Sequence, residues 1–116
     1  MMGLAGAITP QSTGTLEVTI TGSCYNSTSG DGSSMTIRYG TGTAPANGAA
    51  LTGTAAGNGA ISTAAANNQA HVCSATAIIT GLVPGTTYWL DAALKAVTDG
   101  TATLQNVSIS AVEIGS

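Results

Sequence analysis

Charge is what this chain has least of. Only 6% of its residues are Asp, Glu, Lys or Arg, against roughly a quarter in an ordinary soluble domain. Five acids, Glu17, Asp31, Asp91, Asp99 and Glu113, stand against two bases, Arg38 and Lys95, for a net charge of −3. Two cations cannot neutralise a run of phosphates, so nucleic acid is excluded as a partner, and the same shortage excludes an anionic membrane surface. Phenylalanine is absent, and the aromatic complement is Trp89 with Tyr25, Tyr39 and Tyr88. No apolar window approaches the length of a transmembrane helix. The opening Met1–Ile8 has no basic region and too short an apolar run for a signal peptide, so export by that route is not expected.

Cysteine and histidine are equally scarce. Cys24 and Cys73 fall in two separate predicted strands, which leaves a bridge geometrically open. Small buried cysteines are common, however, and a cytosolically made protein keeps thiols reduced, so buried free thiols are the expectation. With His71 the sole imidazole and no Cys-x-x-Cys pair, a metal site has no support. A Ser–His–Asp arrangement would have to use His71 with Asp31, Asp91 or Asp99, yet His71 abuts a predicted strand and no Gly-x-Ser-x-Gly elbow occurs. The five acids are spread over different segments, so no carboxylate pair is enforced. Gly40-Thr41-Gly42 lacks the further glycine, helix start and lysine of a phosphate loop, and Asp31-Gly32 lacks the alternating acids of a calcium loop. The expectation is a protein that is not an enzyme, with no catalytic residue, cofactor or metal. Asn26-Ser27-Thr28 and Asn106-Val107-Ser108 match the glycosylation pattern, but without an export signal they read as chance matches.

What is present is β-type residues and turn formers, which at 116 residues predict one all-β domain, an antiparallel sandwich. The organising stretch is Ala75–Ala96, where two strands, His71–Thr80 and Thr86–Val97, are joined through Pro84-Gly85, a turn signal because Pro fixes φ and Gly allows it to be positive. Tyr88 and Leu90 then face the core and Trp89 faces outward. Leu16, Val18 and Ile20 alternate with polar residues, with Cys24 on the same parity, and Met35, Ile37 and Tyr39 do likewise. Between them, 26–33 reads as a loop. Residues 40–70 hold only Leu51 and Ile61 as large apolar side chains, which predicts short strands near 50–54 and 59–63. Ala64-Ala65-Ala66 suggests a helix, but Asn67-Asn68 and the lack of a 3.6-residue stripe argue against it. Thr98-Asp99-Gly100 predicts a hairpin into 101–114, with a bulge at Gln105-Asn106 where the apolar parity changes. Val112 and Ile114 make that last strand apolar on both faces, so it needs a partner. Residues 1–14, rich in Gly and broken by Pro10, read as an extended arm preceding the domain at 15–116.

Two resemblances follow. Thr80-Gly81-Leu82-Val83-Pro84-Gly85-Thr86-Thr87-Tyr88 resembles the corner before a late strand in fibronectin type III domains, which implies an immunoglobulin-like sandwich and a Tyr88 hydroxyl bonded to nearby backbone. A longer pattern is similar to jelly-roll modules on tailed-phage virions. It comprises Ala7–Pro10 with Gly14–Gly22, then Ile37–Gly42, then Leu82–Asp91, then Val107–Ile114. That resemblance implies a jelly-roll, homotrimeric cement or decoration protein, made in the host cytoplasm and placed on the capsid exterior. It would bind the major capsid protein through arm residues Leu4, Ile8 and Pro10 and its own copies through Trp89, Val112 and Ile114. The alternative it implies is the tip of a head or tail fibre, with Trp89, Tyr25 and Tyr39 stacking on a surface glycan.

Overall fold

The computed structural model describes residues 1–63 and 66–115. Seven strands follow one another: β1 Gly6–Ile8, β2 Leu16–Asn26, β3 Gly32–Gly40, β4 Thr54–Thr63, β5 His71–Ile79, β6 Tyr88–Ala96 and β7 Ala102–Glu113. They form two antiparallel sheets, β1-β6-β3-β4 and β5-β2-β7, facing each other across one apolar layer. Ala64 and Ala65, where the sequence argues against a helix, lie outside the described residues.

Alternation does most of the building. In β2 the even positions Leu16, Val18, Ile20 and Cys24 are buried, and so are Met35 and Ile37 of β3, the odd positions Cys73 to Ile79 of β5, and Tyr88, Leu90 and Ala92 of β6. Each fully buried Leu, Ile or Val contributes about 1.5–3 kcal/mol, so these strands carry the sandwich. From β7, Leu104, Val107, Ile109 and Ala111 pack against the same cluster. The expected bulge brings them onto one face. Asn106 has φ of 54° and the β2–β7 register shifts between Thr21 and Ser23. Gly22 sits opposite, where a Cβ would stand 2.8 Å from the Leu104 Cδ1.

Four expectations are corrected. Thr98-Asp99-Gly100 is not a hairpin: β6 already has β1 and β3 as neighbours, so the turn carries the chain to the other sheet and β7 pairs with β2. In place of short strands near 50–54 and 59–63 there is one strand, β4, which begins only at Thr54 and leaves 50–53 outside any strand. It is interrupted between its Ala56 and Ala60 pairings, where Gly57 and Gly59 take positive φ. Cys24 and Cys73 are not free thiols but a disulfide with Cα atoms 5.8 Å apart. The reason lies in the register: Cys24 pairs with His71 and Gly22 with Cys73, so the two cysteines are diagonal neighbours on the core face of adjacent strands. Finally, residues 1–14 lie against the domain instead of projecting from it.

That docking is specific. Gly6, Ala7 and Ile8 pair with Leu90, Trp89 and Tyr88. Asp91, fully buried on the outward parity of β6, accepts the Gly3 and Leu4 N–H groups at 3.0 Å each and that of Ala92 at 2.8 Å. Further along, the Glu113 carboxylate accepts from the backbone N–H groups of Gln11, Ser12, Thr13 and Gly14. A buried carboxylate is stable only where hydrogen bonds replace its water, and the arm supplies them.

Candidate functional site

The Pro84-Gly85 corner links the two sheets, and the Tyr88 hydroxyl accepts the Val83 N–H at 2.9 Å, the backbone bond that the corner sequence implies. The ring of Tyr88 meets Tyr39 edge-on, with centroids 6.4 Å apart. Next along, Trp89 has the expected outward parity but little free surface. It is 6% exposed, because its indole N–H donates to the Thr41 carbonyl at 3.1 Å and the 40–53 segment covers the ring. Gly40 permits this cover, since a Cβ there would lie 2.7 Å from the ring. The role expected for Trp89 as exposed contact surface is therefore corrected: the chain's own loop occupies that face.

Of the arm residues expected at a capsid contact, Pro10 is buried, and Leu4 and Ile8 are half-buried and packed against the core. Val112 remains 57% exposed. Ile114 lies just past β7, half-buried, with its N–H given to the Thr15 carbonyl. The structure thus separates the six: the arm residues and Trp89 turn to the protein itself, while Val112 stands on a broad outer face.

That face belongs to β5-β2-β7. Ladder pairing sets its rows: Ile78, Glu17 and Val112; Thr76, Thr19 and Ser110; Ser74, Thr21 and Ser108. Rows lie about 6.7 Å apart along the strands and neighbours about 4.8 Å apart across them. Thr19 and Thr76 hydroxyls are 3.2 Å apart, and those of Thr21 and Ser74 are 3.1 Å apart, so several hydroxyls satisfy one another. Val72, Ile78 and Val112 supply exposed apolar surface at 77%, 53% and 57%. Such a surface loses little when water leaves it, because only Glu17 in those rows brings a charge. At its margin β7 has one neighbour among the described strands, β2. The Asn106 bulge breaks that edge near its start, and from Val107 to Val112 neither lysine nor proline guards it. Parity reasoning found Val112, but the hydroxyl rows required knowing that β2 is the central strand.

The residues considered for catalysis are committed elsewhere. Asp31 accepts from the Gly32, Thr98 and Asp99 N–H groups. Burial opposes ionisation of its carboxyl, but the N–H groups of Asp99, Gly32 and Thr98 prevail and hold it below the usual range. His71 and Asp31 do line one crevice with Ser62, but its volume is about 10 Å³, room for about one water. Asn26 is 4% exposed, and its side-chain N–H groups go to the Gly32 and Asp99 carbonyls, so it is a loop staple and its amide is not displayed for glycosylation. Among the described residues, no three metal-ligating side chains converge.

The fold and this face define an all-β, two-sheet sandwich with a low-charge outer surface. No family model, curated protein or solved structure matches the chain.

Proposed function

We propose that this chain is a non-catalytic assembly module of a phage virion surface, a cement or decoration protein that holds neighbouring capsid subunits as a homotrimer. The observation that carries this reading is the Ser/Thr-rich face of β5-β2-β7, with Val112, Ile78 and Val72 exposed on it and the open side of β7 beside it. A large protein partner can cover this face at low desolvation cost and add a strand or loop to the edge. The contact surface is thus moved from the arm to the sheet. The disulfide suits a domain that works outside a reducing cell, on the particle exterior after its synthesis in the host cytoplasm.

The sandwich type we favour is immunoglobulin-like. Pairing of β2 with β5 and of β3 with β6 corresponds to the B–E and C–F pairs of that architecture and the Tyr88 corner agrees, while β7 departs from it by pairing with β2 in place of β6. A jelly roll would bring eight strands.

The test is retention on purified major-capsid shells, with native mass spectrometry of the free protein. Val112→Lys together with Ile78→Lys should leave the circular dichroism spectrum intact, abolish shell retention and reduce the trimer to monomer. Retention unchanged in the double variant would sink the assignment of this face, and monomeric wild type would remove the trimer. Hundreds of copies per particle fit cement, whereas few copies with glycan-array binding would establish the fibre-tip reading. That alternative is weakened by the covered Trp89 and by Tyr39 packed on Tyr88.

A further inference from the structure

Both basic side chains of this chain line the same cleft. It lies on the outer face of β1-β6-β3-β4, has a volume of about 380 Å³, and is bounded by Arg38, Lys95, Ser34, Thr36, Met1 and Leu51. That volume is within the range of small-molecule sites, roughly 300–1,000 Å³. The β3–β6 register explains the convergence. Ser34 faces Lys95, Thr36 faces Ala93 and Arg38 faces Asp91. The two bases therefore stand at opposite ends of a floor made of two small side chains, Thr36 and Ala93. Four strand residues separate the ends, about 13 Å of backbone, which long basic side chains can span from both directions.

Arg38 is held in place. Its Nε donates to the Thr52 carbonyl at 2.7 Å and its Nη2 to the Gly53 carbonyl at 2.7 Å. A guanidinium carries five N–H donors, so about three remain. Because its plane is already fixed, gripping an anion costs it less rotamer entropy than a free arginine would lose. Lys95 is exposed and brings an ammonium to the other end. Ser34 and Thr36 place hydroxyls between the cations, and Leu51, 66% exposed, forms an apolar rim. In a chain of net charge −3, gathering every basic side chain here creates a local attraction for anions that the composition as a whole opposes. Asp91 lies directly across the ladder from Arg38, and its carboxylate is occupied by the Gly3, Leu4 and Ala92 N–H groups. Counting it together with Arg38, Lys95 and the Met1 ammonium, which lines the cleft and donates to the Ala49 carbonyl at 3.0 Å, the charge around the cleft is near +2. That surplus attracts a small anion, and the fixed, planar guanidinium fork matches a carboxylate.

We infer that this cleft binds a small monocarboxylate, the acid group held between Arg38 and Lys95 and the body of the ligand lying over Thr36 and Ala93 against Leu51. A uronic acid and an aliphatic acid offer the same group on different bodies. The site is independent of the assembly face on the opposite sheet, so either can fail alone.

The experiment is an amide NMR titration of the full chain with glucuronate and with hexanoate, using glucose and inorganic phosphate as comparisons. Expected are saturable shifts at Thr36, Arg38, Ala93 and Lys95 with at least one acid, and the tighter acid identifies the body that fits. Lys95→Gln should weaken binding about tenfold, as loss of a charge-assisted hydrogen bond does, while the remaining amides stay in place. Arg38→Gln should weaken it further but also moves the 52–53 carbonyls, so Lys95→Gln is the deciding variant. Absence of saturable shifts with both acids, an equal response to glucose, tighter binding of phosphate, or unchanged affinity in Lys95→Gln would each overturn the inference.

Discussion

The Glu113 carboxylate gathers four consecutive backbone N–H groups, from Gln11 to Gly14, at 2.8 to 3.1 Å. The N–H groups of Gln11 and Ser12 lead in lowering its pKa from 4.5 to about 2, against the opposing effect of burial. A folded-state pKa below the unfolded one means that the stabilisation is complete above the unfolded value of 4.5. It drains away as pH falls through the folded value of about 2. Glu113→Gln should therefore unfold at lower urea than wild type near neutral pH, with the gap closing as pH approaches 2. Asp31 titrates in the same direction in both proteins, so the comparison isolates Glu113. A gap that stays constant across the acid range would refute these four N–H bonds to Glu113 as the cause. Trp89 offers a second handle, since it is the only tryptophan. Its emission should be that of a buried indole. Gly40→Ala, which sets a methyl against the ring, should shift it to the red and destabilise the fold by about 1–3 kcal/mol. Tyr88→Phe should cost about 1 kcal/mol by leaving the Val83 N–H without its acceptor, measurable by urea denaturation.

Elements were legible in the sequence wherever a strand had one wet face. β2 and β3 were readable from Leu16, Val18, Ile20, Met35 and Ile37 because alternation is a direct imprint of a half-buried sheet. The β7 bulge was readable from the parity change at Gln105-Asn106. Sheet membership was not. Thr98-Asp99-Gly100 has hairpin chemistry, yet which strand β7 meets depends on β6 having both sides filled by β1 and β3, a fact carried by distant residues. The cover on Trp89 was hidden for the same reason: nothing local in Thr41 or Gly53 announces that they lie across β6. The Cys24–Cys73 bridge depended on the β2–β5 register, and it makes its own prediction. It closes a sequence separation of 49 residues, so Cys24→Ala with Cys73→Ala should lower stability by about 2–4 kcal/mol, read from denaturant midpoints under oxidising conditions. Equal midpoints for wild type and variant would show that the β2–β5 pairing alone supplies the constraint.

On the scale of the molecule, the two outer faces differ in how they are finished. The outer face of β1-β6-β3-β4 is occupied over β6 by the arm and the 40–53 segment and carries the basic cleft lower down. That of β5-β2-β7 is left as rows of hydroxyls and three exposed aliphatic side chains. Removing residues 1–10 is therefore expected to weaken the fold itself, by stranding the buried Asp91 carboxylate and uncovering β6. A lowered melting temperature in the free protein should accompany any loss from shells. If the truncated chain melts as wild type does, the arm contributes nothing to the sandwich.

Leu16, at the start of β2, pairs with Glu113, at the end of β7. During synthesis β3 and β4 can meet soon after both leave the ribosome, but β2 must wait for β5 on one side and for almost the whole remaining chain on the other. Until β7 emerges, the strand with the most regular apolar face has an open flank. The nascent protein therefore passes through a stage in which its central strand is exposed to neighbouring copies, and slow translation of the last segment should increase aggregation more than slow translation anywhere before it.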